Sequence, residues 1–311
     1  MGLLNVNRTN VKRENMSNLL IFPDPPQNTP ILADIAQNIQ QNPTPPLSQS
    51  SLPDTGLVSQ GFLNTTNIFP GSTANDSISA GNQADAVYGN SGNDSILGFK
   101  GNDTLLGGDG DDTIHGGQDN DLIVGGNGNY LVYGDEGDDK VFGREGSDVI
   151  YGGEGKDALD GGENSDTIYG GKSNDSIVGG KGDDILSGDK GSDILTGSEG
   201  KDTFAYIGKG GDINTEFGLD TLTDFNPSED QIVLSAETFA AISVDQNGLI
   251  ASGEFTTIAD FSGNSSDAGD ANLVYDPQTG LLYYIDPQGI TNPLVDIGKN
   301  LTLTDDNFEI S

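Results

Sequence analysis

GGDGDDTIH at 107–115 is followed by GGQDNDLIV at 116–124, GGNGNYLVY at 125–133, GDEGDDKVF at 134–142 and GREGSDVIY at 143–151. The unit is nine residues long. It runs in both directions without insertion or deletion, so that fifteen blocks fill residues 71–205. Position 8 is apolar in all fifteen, from Ile78 to Phe204. Position 1 is Gly in fourteen, with Ala80 the exception, and position 6 is Asp in fourteen, with Tyr130 the exception. A fixed period of this length marks a stacked repeat whose units cannot bury a core singly.

Each block divides into two parts. Glycines at positions 1, often 2 and usually 4 permit a tight turn over positions 1–6. Positions 7–9 read as a short strand whose central side chain faces inward. Stacking the turns pairs the strands in parallel and buries position 8 as a ladder. With two blocks per coil, residues 71–205 make about seven coils, roughly 35 Å of rod.

The same stacking places the position-6 carboxylates above one another. Left unneutralised, such a column repels itself by several kcal/mol at low effective dielectric. Carboxylates beside glycine turns that expose backbone carbonyls suit Ca²⁺, which takes 6–8 oxygens in flexible geometry. Mg²⁺ fits less well, and zinc is disfavoured with no Cys and one His.

The consensus GGxGxDxUx, with U apolar, resembles the RTX (hemolysin-type) calcium-binding nonapeptide repeat, which general repeat rules already associate with calcium. The resemblance implies an all-β fold: a right-handed parallel β-roll with two nonapeptides per coil. It also implies calcium held between turns two blocks apart, by the Asp of each and by carbonyls of positions 1 to 4. Carried onto this chain, one line uses Asp76, Asp94, Asp112, Asp148, Asp166, Asp184 and Asp202. The other uses Asp85, Asp103, Asp121, Asp139, Asp157, Asp175 and Asp193. Tyr130 interrupts the first line, and position 4 departs from Gly at Ala74, Gln83, Asp119, Asn164 and Ser173. These departures weaken neighbouring sites, and the expected load is about eight to eleven calcium ions.

The remainder of the chain has two characters. Residues 1–70 hold nine of the thirteen prolines and are rich in Asn, Gln, Ser and Thr, a composition that reads as disordered or linker. Within them, Ile31, Leu32, Ile35, Ala36 and Ile39 have helical spacing, so a short helix is expected over 31–41. Residues 206–311 lose the period and gain β-branched and aromatic residues. Thr221–Phe225 and Gln231–Leu234 read as strands, and Leu273–Tyr275 with Leu281–Tyr284 as a hairpin about Asp276-Pro277-Gln278-Thr279-Gly280. Gly218-Leu219-Asp220-Thr221-Leu222 and Asp230-Gln231-Ile232-Val233-Leu234 resemble the segment that ends the roll in RTX proteins. Residues 206–311 therefore read as a small β domain or a cap, and Leu303–Ser311 resembles a C-terminal type I secretion signal, which implies passage through type I secretion machinery.

Charge and composition exclude several classes. Acids outnumber bases 49 to 13, for a net charge of −36, which argues against nucleic acid and anionic membranes as partners. No apolar run is long enough for membrane insertion. Leu19–Phe22 is too short for a secretory h-region, so no cleavable N-terminal signal is read and export is directed from elsewhere. The absence of Cys leaves metal as the staple of an extracellular protein. No H-E-x-x-H, G-x-S-x-G or P-loop is present, so the expectation is a non-enzyme; a carboxylate-pair hydrolase in 206–311 is the one conceivable chemistry. His115, Tyr133, Tyr151 and Tyr169 share position 9 at intervals of eighteen. They form either a recognition surface for a cell-surface glycan or matrix partner, as in an adhesin, or a surface covered by another part of the chain.

Overall fold

The computed structural model describes residues 68–208, 217–245 and 249–311. The helix expected over 31–41 lies outside the described residues.

The repeats form an all-β parallel solenoid with two nonapeptides per coil. Successive blocks lie on opposite faces, so each strand pairs in parallel with the strand eighteen residues on. Thr113–Gln118, Leu131–Glu136 and Val149–Glu154 are neighbours on the first face, with Ile114 opposite Val132 and Val132 opposite Ile150. Leu122–Asn127, Lys140–Glu145 and Ala158–Glu163 are neighbours on the second, with Ile123 opposite Val141 and Val141 opposite Leu159. The fifteen position-8 side chains point between the faces, and all are buried. This single column is the core of the roll, and β-branched Ile and Val suit its pleated walls.

The strands are longer than the three residues expected. Most run for six, because positions 1–3 of the following block continue the strand. Positions 2 and 3 pair with the next coil, as Gly117 does with Asp135 and Gln118 with Glu136. Positions 1 and 2 of these segments are mostly Gly and add no apolar alternation, which is why a hydrophobic pattern does not reveal the extension. The glycines have two separate causes. Positions 2 and 4 lie in the left-handed region, as at Gly117 (φ 118°) and Gly128 (φ 143°). Position 1 does not, but a Cβ there would strike the carbonyl of the next coil and the Asp of its own block.

The stack extends past the periodic blocks at both ends. Ile68–Pro70 adds a rung before Ala86–Ser91 and buries Phe69 in the core column. At the other end, Asp220–Leu222 pairs in parallel with Ile194–Glu199, and Gln231–Leu234 with Thr203–Tyr206. The roll is therefore longer than seven coils. The expected hairpin forms, with Val274 opposite Tyr283 in antiparallel register. Leu281–Ile285 then pairs antiparallel with Thr291–Asp296, which itself continues the second face beside Asp220–Leu222. Phe308–Ile310 continues the first face beside Gln231–Leu234. An aromatic cluster fills this end, with Tyr206 edge-on to Phe217 at 5.5 Å and Phe239 edge-on to Tyr284 at 5.1 Å. Among the described residues no helix is long and apolar enough to cross a membrane.

Candidate metal centres along the roll

Position 6 immediately precedes the strand, so its side chain turns inward at the edge between turn and sheet. All fourteen repeat aspartates are buried there. The structure brings them into the two lines expected, each carboxylate stacked on the one eighteen residues away. From Asp94 to Asp202, Oδ1 of each repeat aspartate accepts a hydrogen bond from the backbone N–H of the position-6 residue one coil earlier. Asp139 does so for Asp121 at 2.7 Å, Asp157 for Asp139 at 2.9 Å and Asp175 for Asp157 at 2.8 Å.

Oδ2 has a different fate. In Asp94, Asp103, Asp112, Asp121, Asp139, Asp148, Asp157, Asp166, Asp175, Asp184, Asp193 and Asp202 it is buried with no hydrogen-bond partner. Asp76 and Asp85 differ, because their Oδ2 atoms accept from the N–H groups of Ser72 at 2.6 Å and Gly81 at 2.8 Å. The two N-terminal carboxylates are thus occupied by their own turns. A buried carboxylate oxygen without a donor is costly, and a row of them is unstable unless protons or cations supply the missing charge.

Ionisation tells the same story. Burial pushes the carboxyls of Asp103, Asp139, Asp166 and Asp175 up to about 8, and the backbone N–H of the preceding coil only partly offsets it. Asp121 rises to about 7 for the same reason. Asp112, Asp148, Asp157, Asp184, Asp193 and Asp202 rise to about 6. Stacked neighbours add repulsion, as Asp121 and Asp157 do at Asp139.

The orphaned oxygens face backbone carbonyls across the space that position-1 glycines leave open. A Cβ built on Gly170 would lie 2.5 Å from Asp175 Oδ2 and 2.7 Å from the Gly188 carbonyl oxygen of the next coil. One built on Gly152 would lie 2.5 Å from both Asp157 Oδ2 and the Gly170 carbonyl oxygen. Carboxylate and carbonyl oxygens converge there, and the carboxylate Oδ2 has no donor, which suits the oxygen set of a hard cation. Among the described residues no three acidic, His or Cys side chains meet at one point. A cation in the roll would therefore complete its shell from the backbone.

Tyr130 is more than a gap in the line. Its ring is buried, and it fills the space beside Gly107 and Gly125. Its N–H donates to Asp148 Oδ1 at 2.8 Å, as an aspartate's would, and its hydroxyl donates to the Gly108 carbonyl. The phenol thus satisfies a carbonyl from within the first line.

Two features escaped the sequence reading. Position 5 forms a second ladder with the opposite polarity, in which a side-chain oxygen accepts from the N–H one coil later. Asn129 Oδ1 accepts from Ser147 at 2.8 Å, and Asp138 Oδ1 from Lys156 at 2.8 Å. The excess of Asn, Asp and Ser at position 5 was the available signal. The second feature is Asp220, whose Oδ1 accepts from the Asp193 N–H at 2.9 Å and whose Oδ2 is a buried orphan.

The position-9 column is stacked face to face. Ring centroids are 4.4 Å apart for His115–Tyr133 and 5.0 Å for both Tyr133–Tyr151 and Tyr151–Tyr169, with planes within 8°. His115 Nδ1 lies 3.2 Å from Asp135 Oδ2. The inner ring faces are consumed by one another, which leaves ring edges and the outer faces of the end rings His115 and Tyr169 for a ligand. On the opposite face Leu106, Val124 and Phe142 align and then meet Asp160.

Residues 66–96, 97–132, 133–168 and 169–204 match the RTX calcium-binding nonapeptide repeat in four copies. No curated protein matches the chain.

Proposed function

We propose, on the premise that residues 66–204 make this an RTX-repeat protein, that calcium binding by its roll is coupled to folding outside the cell. Calcium binding comes with the repeats; its coupling to folding and export is our reading. The ligands are the repeat aspartates from Asp94 to Asp202, with Asp76 and Asp85 contributing at the N-terminal end, together with turn carbonyls. Complete aspartate pairs two blocks apart number five on the first line and six on the second, 5 + 6 = 11, the upper bound of the expected calcium load.

One observation carries the reading: the row of buried Oδ2 atoms without donors. Without cations the row opposes folding, and the net charge of −36 opposes compaction. Where calcium is scarce the chain then stays extended and fit for passage through type I secretion machinery. Where calcium is plentiful, binding free energy becomes folding free energy. Calcium sites of extracellular modules commonly bind at ~10⁻⁴–10⁻³ M. The role is non-enzymatic. The stacked rings do not favour a glycan partner, since sugar stacking needs the ring faces that the column uses internally.

The test is a calcium titration of EDTA-treated protein followed by far-UV circular dichroism, with magnesium as control. A cooperative coil-to-β transition at sub-millimolar to millimolar calcium, absent with magnesium, is expected. A β spectrum unchanged by EDTA would remove the export mechanism.

A further inference from the structure

We infer that Asp193 and Asp220 hold one more divalent cation, of the calcium class, beyond the repeat-matched segment, where the roll meets its C-terminal cap. The inference rests on the calcium reading above and extends it to a carboxylate that the nonapeptide period does not reach.

Asp220 lies 27 residues after Asp193 rather than eighteen, yet the chain returns to the register of the repeat. Thr221 and Leu222 pair with Ile194 and Leu195. The Thr221 N–H donates to the Asp193 carbonyl at 2.8 Å, just as Ser176 does to Asp157 at 2.8 Å. Gly218 takes the position-4 role, with φ 70° and no room for a Cβ against the Gly191 carbonyl. The Leu219 N–H donates to Ser192 Oγ at 3.2 Å and so continues the position-5 ladder. Gly218-Leu219-Asp220-Thr221-Leu222 is thus a working G-x-D-x-U unit, separated from the others by an insertion.

The carboxylate behaves as those in the repeat do. Asp220 is 1% exposed, and its Oδ2 is buried with no donor, as is that of Asp193 beneath it. The Tyr206 hydroxyl is buried beside Asp220, with that carboxylate as its polar neighbour. Two orphaned carboxylate oxygens therefore stack here, with a phenol beside them. Asp230 provides the contrast at the end of the other line: its Oδ1 accepts from Asp202 at 3.0 Å, but its Oδ2 accepts from the Asn226 N–H at 2.8 Å. Asp230 closes its line, and Asp220 leaves its line open to a cation.

The experiment counts calcium bound to the full chain by equilibrium dialysis, in wild type, Asp220→Asn and Asp157→Asn. Asn keeps the Oδ1 acceptor for Asp193, so the β spectrum at saturating calcium should persist. Asp220→Asn should bind one ion fewer, because Asp220 ends its line, and Asp157→Asn up to two fewer, because it has neighbours on both sides. An unchanged count in Asp220→Asn beside a reduced count in Asp157→Asn would overturn the inference and leave the repeat reading intact. No calcium bound by wild type would instead overturn the repeat reading. If Asp220→Asn loses its β spectrum, terbium luminescence decides. Tyr206→Phe should lower the tyrosine-sensitised emission of wild type, and undiminished emission rejects the site.

Discussion

Replacing Tyr130 with Asp should convert a metal-independent rung into a calcium-dependent one. The substitution removes a buried aromatic side chain, which costs about 3–5 kcal/mol, and introduces a buried carboxylate oxygen without a donor, about 1–3 kcal/mol more. Metal-free protein should therefore lose about 4–8 kcal/mol, the sum of those two contributions. In return the first line becomes continuous, because the new carboxylate sits between Asp112 and Asp148 and completes a pair with each. Two added ions at a hundredfold excess over their dissociation constants recover about 5.4 kcal/mol. The more diagnostic quantity is the slope. Each additional site contributes about 1.4 kcal/mol per tenfold rise in calcium above its dissociation constant, so the variant should gain about 2.7 kcal/mol per decade more than wild type. Urea unfolding at a series of calcium concentrations measures the slope, and equilibrium dialysis measures the two extra ions. Tyr130→Phe, which keeps the ring and loses only the bond to the Gly108 carbonyl, should leave both unchanged. A Tyr130→Asp protein with wild-type slope and ion count would show that the ring does not occupy a cation position.

Further outcomes follow from the same geometry. The eleven repeat carboxyls from Asp103 to Asp202 rise from 3.8 to between about 6 and about 8 in the metal-free roll, so the folded state holds protons more tightly than the unfolded chain. Their contribution to stability is therefore complete below about pH 4 and lost as pH rises through 6 to 8. EDTA-treated protein should gain β signal by circular dichroism when taken from pH 9 to pH 5, and equal signal at both would contradict the burial argument. Calcium affinity, read by isothermal titration, should fall over the same window as protons compete for Oδ2. Ser198→Gly should raise the unfolding free energy by about 1 kcal/mol, since Ser198 holds a left-handed backbone at φ 77°. Gly152→Ala should lower it by about 1–3 kcal/mol or more and reduce the calcium count, because the new methyl would meet Asp157 Oδ2 and the Gly170 carbonyl.

The core column and the two aspartate lines were legible because each depends on a side chain recurring at a fixed interval. What stayed hidden depends on the backbone or on broken periodicity. The strands run twice the expected length since Gly116-Gly117-Gln118 and its equivalents pair without any apolar alternation to mark them. Asp76 and Asp85 sit in blocks whose position 4 is Ala74 and Gln83, a departure visible in sequence, but the donors that occupy their carboxylates, Ser72 and Gly81, were not. Asp220 was in view as part of a roll-ending segment, but its 27-residue offset concealed that it stacks on Asp193. Tyr130 read as a missing ligand, and the hydroxyl bond to Gly108 makes it a substitute instead.

The alternation of faces gives the roll a parity. Removing eighteen residues would shorten it and leave every downstream block on its own side. Removing nine would exchange the sides, carrying Tyr151 and Tyr169 away from Tyr133 and bringing the Val178 column into their place. The strands that receive the cap, Ile194–Glu199 and Thr203–Tyr206, would exchange sides together with Asp220–Leu222 and Gln231–Leu234, so the pairing at that end would survive. Such a chain can change length by whole coils without disturbing its side columns, whereas half a coil would break the ring column and still leave the end with its own partner.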